Sequence, residues 1–308
     1  MLTTPEAAAT SSIEFVPIDG TFAHEARGAR LWEPLSAADA DALRTAYREH
    51  GVLVFRRQAL SEKELLDFGK VVGNPSIYAE TAWLSTYPEV IILSNLRDAA
   101  GEVLGGLANH ELTWHTDQSY YAKPVTGCFL YGVELPAEGG MTSWSSLADA
   151  YDRLPADLKA AVDNAVGTFS FAARVGPLHP GRDAKNHDLR KRLAETPDIK
   201  HPLVNVNPAT GRKSLYIDPN TVTGIDGMPD DEANDLLDRL LEHTVQPENV
   251  YDHDWQPGDL VLWDNAVVLH KREAFPNECH RLVKRMIIDL DPATHVIPPV
   301  VETAAASA

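Results

Sequence analysis

The stretch Leu112-Thr-Trp-His-Thr-Asp-Gln-Ser-Tyr-Tyr121 contains the only His-x-Asp triplet of the chain, formed by His115 and Asp117. Alternate residues of an extended strand share a face, so the imidazole and the carboxylate would point toward one spot. Two imidazoles and one carboxylate on one side of an ion, with the other positions open, suit non-heme Fe(II) chemistry. A lone triplet could also be a solvated pair at a strand end. A metal site therefore requires a second histidine elsewhere.

A candidate for the second histidine lies in the last third of the chain, in the apolar stretch Asp259–His270. After a short loop the chain continues as Arg281–Asp289, and we interpret the two stretches as an antiparallel hairpin that sets His270 directly across from Arg281. Arg281 and Arg285 are four residues apart and share one strand face. A guanidinium beside the metal could bind the distal end of a dicarboxylate that chelates the ion, and Arg suits this task better than Lys.

The composition favours a globular protein that acts on a small molecule. The 308 residues are 44% hydrophobic, and we find no boundary that divides them into two domains. A net charge of −18 argues against a nucleic acid or a membrane surface as partner, because both attract clustered Lys and Arg. The chain shows no signal peptide and no apolar run of membrane-spanning length, so we expect a cytoplasmic protein. A homo-oligomer, as a dimer or tetramer, is compatible with these features.

The two cysteines, Cys128 and Cys279, lack CxxC spacing. Their number excludes a thiolate zinc site or an iron–sulfur cluster, and it fits a reducing compartment. We interpret both as ordinary free thiols.

The predicted elements are mixed at first and then mainly β. Capping signatures at Ser36 and Ser61 predict two early helices. From the middle of the chain onward, short apolar strands follow one another, interrupted by helices. The segment 174–200 is rich in Gly, Pro, charge and His, which predicts a lid over the site. The resulting division is a flexible N-terminus at 1–12, a single domain at 13–297 with the lid insert at about 174–200, and a flexible tail at 298–308.

Four ordered motifs resemble those of the TauD/TfdA family of Fe(II)/2-oxoglutarate-dependent dioxygenases. They are Trp114-His-Thr-Asp-Gln118, Gly139-Gly-Met-Thr142, Pro257-Gly-Asp-Leu-Val-Leu-Trp-Asp-Asn265 followed by His270, and Arg281 with Arg285. The resemblance implies a mainly β fold with flanking helices, built on a double-stranded β-helix core, a cupin-like jelly roll. It also implies a reaction in which Fe(II), 2-oxoglutarate and O2 oxidise a C–H bond, with release of succinate and CO2.

The resemblance also implies roles for single residues. The implied iron ligands are His115, Asp117 and His270. Arg281 would bind the C5 carboxylate of 2-oxoglutarate, and Thr142 would add a hydrogen bond from its hydroxyl. Many members read Gly-Gly-Asp-Thr at this place, so Met141 replaces an acid beside the co-substrate threonine.

The substrate contacts are predicted from two places. Residues just before the metal strand touch substrate in relatives, and here they are Asn109, His110, Glu111 and Trp114. Arg285 resembles the residue that meets an anionic group in sulfonate-oxidising members, although it could instead form a structural salt bridge. If Glu111 and Arg285 both face the pocket, the substrate is a small polar, zwitterionic or carboxylate-bearing metabolite rather than a neutral terpene or a protein.

Other functions remain open on the residues alone. A zinc hydrolase could use two histidines and a carboxylate, but it has no need for Thr142 and Arg281. A non-catalytic binding jelly roll would tolerate loss of the metal residues, which are all present. The carboxylate of Asp117 favours hydroxylation, or a related oxidation such as desaturation in natural-product biosynthesis, over halogenation.

Overall fold

Two β-sheets packed face to face form the centre of the protein in a computed structural model, which describes residues 10–77, 85–106, 109–178 and 187–302. The larger sheet has eight strands and the smaller has four. Val54 and Val261 of the larger sheet pack between the sheets against Trp144 and Val268 of the smaller one. This sandwich with flanking helices confirms the predicted jelly roll.

The elements follow one another in this order. The strands are β1 (Glu14–Pro17), β2 (His24–Arg27), β3 (Val52–Phe55), β4 (Asn74–Ser76), β5 (Val90–Ser94), β6 (Leu112–His115), β7 (Gly127–Glu134), β8 (Thr142–Ser146), β9 (Val166–Phe169), β10 (Ile199–Pro202), β11 (Val204–Val206), β12 (Lys213–Leu215), β13 (Val222–Ile225), β14 (Val250–His253), β15 (Leu260–Asp264), β16 (Val268–Arg272) and β17 (Leu282–Asp289). The helices are α1 (Ala37–His50), α2 (Glu62–Val72), α3 (Leu147–Arg153), α4 (Ala156–Val162), α5 (Phe171–Leu178), α6 (His187–Glu195) and α7 (Asp230–Thr244). The larger sheet has the order β1-β2-β3-β15-β7-β17-β4, with β5 also paired to β17, and the smaller has the order β14-β8-β16-β6.

Helices α1 and α2 form where their capping residues predict them. The Ser36 side chain accepts a hydrogen bond from the first turn of α1, and Ser61 with Glu64 forms a reciprocal capping box at the start of α2. Leu43 of α1 and Leu65 of α2 are buried in one cluster with residues of β7 and β15. These two helices therefore cover the outer face of the larger sheet.

A second helical layer covers the smaller sheet. Leu147 of α3, Leu158 of α4 and Leu240 of α7 are buried in one cluster with Leu269 of β16. Two small sheets belong to this layer, with the orders β10-β9-β13 and β11-β12. None of the helices in the described ranges is long and apolar enough to cross a membrane.

The predicted hairpin between the last two strands is wrong. His270 lies in β16, whose partners are β6 and β8 of the smaller sheet, whereas β17, which begins just after Arg281, pairs with β4, β5 and β7 of the larger sheet. The chain crosses from one sheet to the other between these strands, as a sandwich of two sheets requires. His270 and Arg281 therefore approach each other across the sandwich and not along a hydrogen-bonded pair.

The segment 174–200, which the sequence predicts as a lid, contains regular secondary structure. Most of α5, all of α6 and the start of β10 lie within it, and residues 179–186 fall outside the described part of the chain. At the ends of the chain, Ser12 donates a backbone hydrogen bond to Asp39, and Val301 donates one to the carbonyl of Lys200. The division into tails, domain and lid remains a prediction.

Candidate active site

The His-x-Asp pair and the distant histidine meet on two neighbouring strands. His115 ends β6 and lies beside His270 of β16 in the strand register, and Asp117 follows two residues after His115. One ligand atom from each of the three side chains lies within 4.8 Å of the other two. Asp117 Oδ2 is 3.4 Å from His270 Nε2, and Asp117 Oδ1 is 4.0 Å from His115 Nε2. The structure therefore brings the three predicted ligands, called the triad below, to one point.

Neighbouring backbone groups fix the orientation of the triad. His115 Nδ1 donates a 2.7 Å hydrogen bond to the carbonyl of Thr113, which leaves Nε2 available for an ion. Asn265 bonds both backbone groups of Asp117, because its Oδ1 accepts from the N–H and its Nδ2 donates to the carbonyl, each at 3.1 Å. Gln118, with a left-handed φ of 55°, turns the chain directly after Asp117. The carboxylate is thus held at the end of the strand.

The charge states of the triad suit a divalent metal. Burial lowers the pKa of His115 well below its usual value, and His270 and Arg174 add to this effect. Burial acts to raise the pKa of Asp117, but the Arg285 guanidinium and His270 hold that pKa well below its usual value. Two imidazoles with a carboxylate form the donor set of the facial Fe(II) triad. The residues present therefore fit the iron that the resemblance implies.

A cavity of about 310 Å³ opens beside the triad. Three leucines and Trp263 supply apolar wall, and the triad closes one side. The basic side chains of the lining are Arg174, Lys271, Arg272, Arg281 and Arg285. Five basic groups thus face a single acid, Asp117, in the described lining. In the whole chain the excess has the opposite sign, with 45 acidic and 27 basic residues.

The two predicted co-substrate residues line this cavity together with the triad. Each is 2% exposed. Burial lowers the pKa of Arg281 to about 9, with repulsion from Arg272 adding to the effect, so the guanidinium remains protonated at neutral pH. Trp255 donates a 2.9 Å hydrogen bond from its indole nitrogen to the hydroxyl oxygen of Thr142. A protonated guanidinium and a fixed hydroxyl could together bind a carboxylate.

Arg285 forms the salt bridge expected under one of its two interpretations, and its contact with a substrate anion stays a prediction. Its Nη2 lies 2.7 Å from Oδ2 of Asp117, so it forms a salt bridge, and its side chain also lines the cavity. The same nitrogen donates to the sulfur of Cys128 at 3.3 Å. Burial raises the pKa of Cys128 to about 12, so this cysteine stays a neutral thiol.

Of the four predicted substrate residues just before the metal strand, only one lies in the described lining of the cavity. His110 lines the cavity. Asn109 instead bonds to Asn277 at 2.7 Å. Glu111 is exposed, and neither it nor Trp114 belongs to the described lining. The indole of Trp114 is half-buried beneath Lys271, whose ammonium lies 5.1 Å from the ring centre. The structure therefore brings Arg285, but not Glu111 or Trp114, to the metal cavity.

Sequence reasoning missed three of the basic residues in the lining. Arg272 lies two positions after His270, so strand alternation alone could have placed it on the metal face. Lys271 follows His270 directly, so strand alternation does not predict that it lies on the metal face. Arg174 is contributed by α5, and its place in the cavity depends on where that helix packs. The sequence shows Asn265 only as part of a motif, because its contacts with Asp117 join residues 148 positions apart.

A jelly roll that presents two histidines and a carboxylate to a basic cavity defines the class of non-heme iron oxygenases. The family profile "Taurine catabolism dioxygenase TauD, TfdA family" matches residues 14–287, and the chain belongs to this family. It is an alpha-ketoglutarate-dependent dioxygenase, for which the family implies Fe(II), 2-oxoglutarate and O2. This membership confirms the resemblance seen in the sequence and decides against the zinc hydrolase and the non-catalytic jelly roll.

Individual relatives match over almost their whole length. The (S)-phenoxypropionate/alpha-ketoglutarate-dioxygenase of Sphingobium herbicidovorans is 30% identical, over 92% of this chain and 97% of its own. Pentalenolactone F synthase of Streptomyces arenae is 31% identical, over 91% and 97% respectively. The crystal structure of AAD-2 in complex with Mn(II) and N-oxalylglycine superposes with a TM-score of 0.78 at 25% identity, over 94% of this chain and 99% of that one.

Proposed function

We propose that this dioxygenase hydroxylates a C–H bond of a small metabolite that carries a carboxylate or a similar anionic group. The observation that supports this most strongly is the excess of basic side chains around the cavity, five against one acid in the described lining. Buried cations without counter-charges are costly. 2-Oxoglutarate supplies one carboxylate at its distal end, and an anionic substrate would supply another.

The triad and the co-substrate residues have distinct roles in this proposal. Bound Fe(II) and 2-oxoglutarate would supply the oxidant derived from O2, with succinate and CO2 as products. His115, Asp117 and His270 hold the metal, while Thr142 and Arg281 hold the distal carboxylate of the co-substrate. The leucines and the tryptophan of the wall exclude water from the reacting C–H bond.

The substrate anion has two candidate partners in the cavity. Arg285 lies next to the triad, and Arg174 enters from α5 with a buried Nη1 that has no hydrogen-bond partner among the described residues. Glu111, which the sequence analysis considered as a second charged group facing the pocket, is exposed outside the described lining. The proposed substrate is therefore an anion and need not carry a positive charge as well. A contact between Trp114 and the substrate remains a prediction.

The relatives support this proposal and one alternative. The name of the Sphingobium enzyme specifies (S)-phenoxypropionate, which carries a carboxylate. Pentalenolactone F synthase, at similar identity, is named for the formation of a natural product. That name favours, as a second candidate, desaturation or another oxidative rearrangement by the same cofactor chemistry.

The test uses pairs of compounds that share a carbon framework and differ only in charge, a carboxylic acid and its primary amide. Each pair is incubated with Fe(II), 2-oxoglutarate and the enzyme, and both succinate and the oxidised product are measured by mass spectrometry. We expect turnover of acids and little turnover of the matching amides. A product with one added oxygen indicates hydroxylation, whereas loss of H2 indicates desaturation.

The control for this panel is the His270→Ala protein, which should fold but release no succinate above background. Turnover confined to the amides would contradict the proposed substrate class. Substrate-dependent succinate release by His270→Ala at the wild-type rate would contradict the assignment of the triad.

The sequence supports three further predictions about this protein. They are a cytoplasmic location, the absence of nucleic-acid and membrane partners, and assembly as a dimer or tetramer. Light scattering during size-exclusion chromatography would establish the oligomeric state.

A further inference from the structure

We propose that Arg272 is a second guanidinium for the distal carboxylate of 2-oxoglutarate, acting together with Arg281. The inference rests on the proposed role of Arg281 and extends it to a residue that neither the motifs nor the relatives' names assign. Arg272 is 4% exposed and lines the metal cavity.

The position of Arg272 follows from the strand register. In the pairing of β16 with β8, His270 lies opposite Trp144, and Arg272 lies opposite Thr142. Two residues along a strand span roughly 7 Å. The pair of Arg272 and Thr142 is therefore displaced along the strands from the metal position by about one co-substrate length. This is where the far end of a five-carbon diacid would lie when its other end chelates the metal.

The hydrogen bonding of Arg272 is incomplete. Its Nη2 donates to the carbonyl of His110, and its guanidinium lies 5.1 Å from the ring centre of Phe275. Its Nε and Nη1 are buried without a hydrogen-bond partner among the described residues. No carboxylate in that part of the chain forms a salt bridge with it. A buried charged donor in this state destabilises the protein unless a ligand completes its contacts.

Arg281, which lines the same cavity, has the same deficit. Its Nε and Nη2 are also buried and unpaired within the described ranges. The charge of Arg272 helps to lower the pKa of Arg281, so the two guanidinium groups in this cavity repel each other. Arg285 differs, because it already bonds to Asp117. A single carboxylate between Arg272 and Arg281 would satisfy donors on both and remove the repulsion, which points to one shared anion.

The test measures ligand binding to the Mn(II)-loaded full-length enzyme by calorimetry. N-oxalylglycine carries a distal carboxylate, whereas oxamate has the same metal-chelating end and lacks that group. In Arg272→Gln we expect the Kd of N-oxalylglycine to rise about 10- to 100-fold, the effect of losing hydrogen bonds to a charged group. The Kd of oxamate should stay at its wild-type value. Arg272→Lys should recover part of the lost affinity, because it restores charge without the planar fork.

One control variant and one alternative test variant keep the result interpretable. Arg30→Gln removes the same charge from a guanidinium that is 64% exposed and should bind both ligands as the wild type does. If Arg272→Gln does not fold, Arg272→Lys is used for the test instead. We then expect a loss of N-oxalylglycine affinity that is smaller than the loss expected for Arg272→Gln, and an unchanged affinity for oxamate.

Two outcomes would overturn the proposal. Equal losses for both ligands would show that Arg272 only shapes the metal site, and no loss for either would show that it does not reach the co-substrate. Because no substrate is present, a wrong substrate class would leave this experiment unaffected.

Discussion

The hydroxyl of Thr142 is oriented by a neighbour that can only donate. Trp255 gives its indole hydrogen to the Thr142 oxygen at 2.9 Å, and an indole N–H has no acceptor capacity. The hydrogen of the threonine hydroxyl must therefore point elsewhere. Thr142 lines the same cavity as Arg281, so this hydrogen is available to a bound carboxylate. Trp255 is thus a positioning residue, since it acts through Thr142.

We expect Trp255→Phe to weaken co-substrate binding while the triad remains intact. The ring volume is largely kept, but the Thr142 hydroxyl can rotate, so the Kd of N-oxalylglycine should rise about 2- to 10-fold. Calorimetric titration of the Mn(II)-loaded protein measures this change, and the Kd of oxamate should not move. Trp32→Phe, at an exposed tryptophan, is the matched control. An unchanged Kd for N-oxalylglycine in Trp255→Phe would show that the hydroxyl needs no such constraint.

Helix α5 links the predicted lid to the metal cavity. It carries Arg174 at the beginning of the segment 174–200, and this side chain lines the cavity and interacts electrostatically with His115. Any movement of α5 would therefore change the charge and the shape of the substrate side of the site. Because the described part of the predicted lid contributes a guanidinium to the site, closure of the lid would be favoured over an anionic ligand.

We expect Arg174→Gln to affect the substrate and not the co-substrate. With the best acid of the acid–amide panel, the substrate KM should rise about 10-fold, while the Kd of N-oxalylglycine stays at the wild-type value. Steady-state kinetics and calorimetry measure the two quantities. Arg239→Gln on α7, which removes an exposed guanidinium, provides the control. Equal effects of Arg174→Gln on both ligands would place Arg174 at the co-substrate instead.

At the scale of the whole molecule, the net charge and the charge of the cavity have opposite signs. The net charge of −18 argues against extended polyanions, whose many charges would each be repelled. A small anion inside the cavity faces five basic groups at short range, while distant surface charges are screened over about 8 Å at physiological ionic strength. The net charge therefore restricts the choice of macromolecular partners, but it does not determine the sign of the charge on a small ligand.

The stability of the whole fold should depend on the ionisation of Asp264. This residue is 2% exposed, its side chain accepts from the backbone N–H of Ala266, and burial raises its pKa to about 7. Because the folded state binds this proton more tightly than the unfolded state, the contribution is largest at low pH. It is lost as the pH rises through about 7.

We therefore expect the wild type to lose about 2–3 kcal/mol of unfolding free energy between pH 5 and pH 8 from this one group, because each pH unit below the folded pKa of about 7 contributes about 1.4 kcal/mol. Asp264→Asn removes the titration and keeps an acceptor for Ala266. Urea unfolding of both proteins at the two pH values isolates the effect, because all other groups titrate alike in both. Parallel pH dependence in the two proteins would contradict a raised pKa at Asp264.

Much of the site follows from local sequence, because strand alternation and capping act over a few residues. His115 and Asp117 come together through their spacing, and the serine caps predict both early helices. The pairing partner of each strand does not follow from local sequence, because it depends on how apolar faces are buried across the whole chain. The sequence suggested that His270 and Arg281 are hairpin neighbours, whereas the tertiary structure brings them together across two sheets. The placement of Arg174 in the cavity and of Glu111 outside it was likewise decided by packing, because no local periodicity specifies which helix covers a cavity.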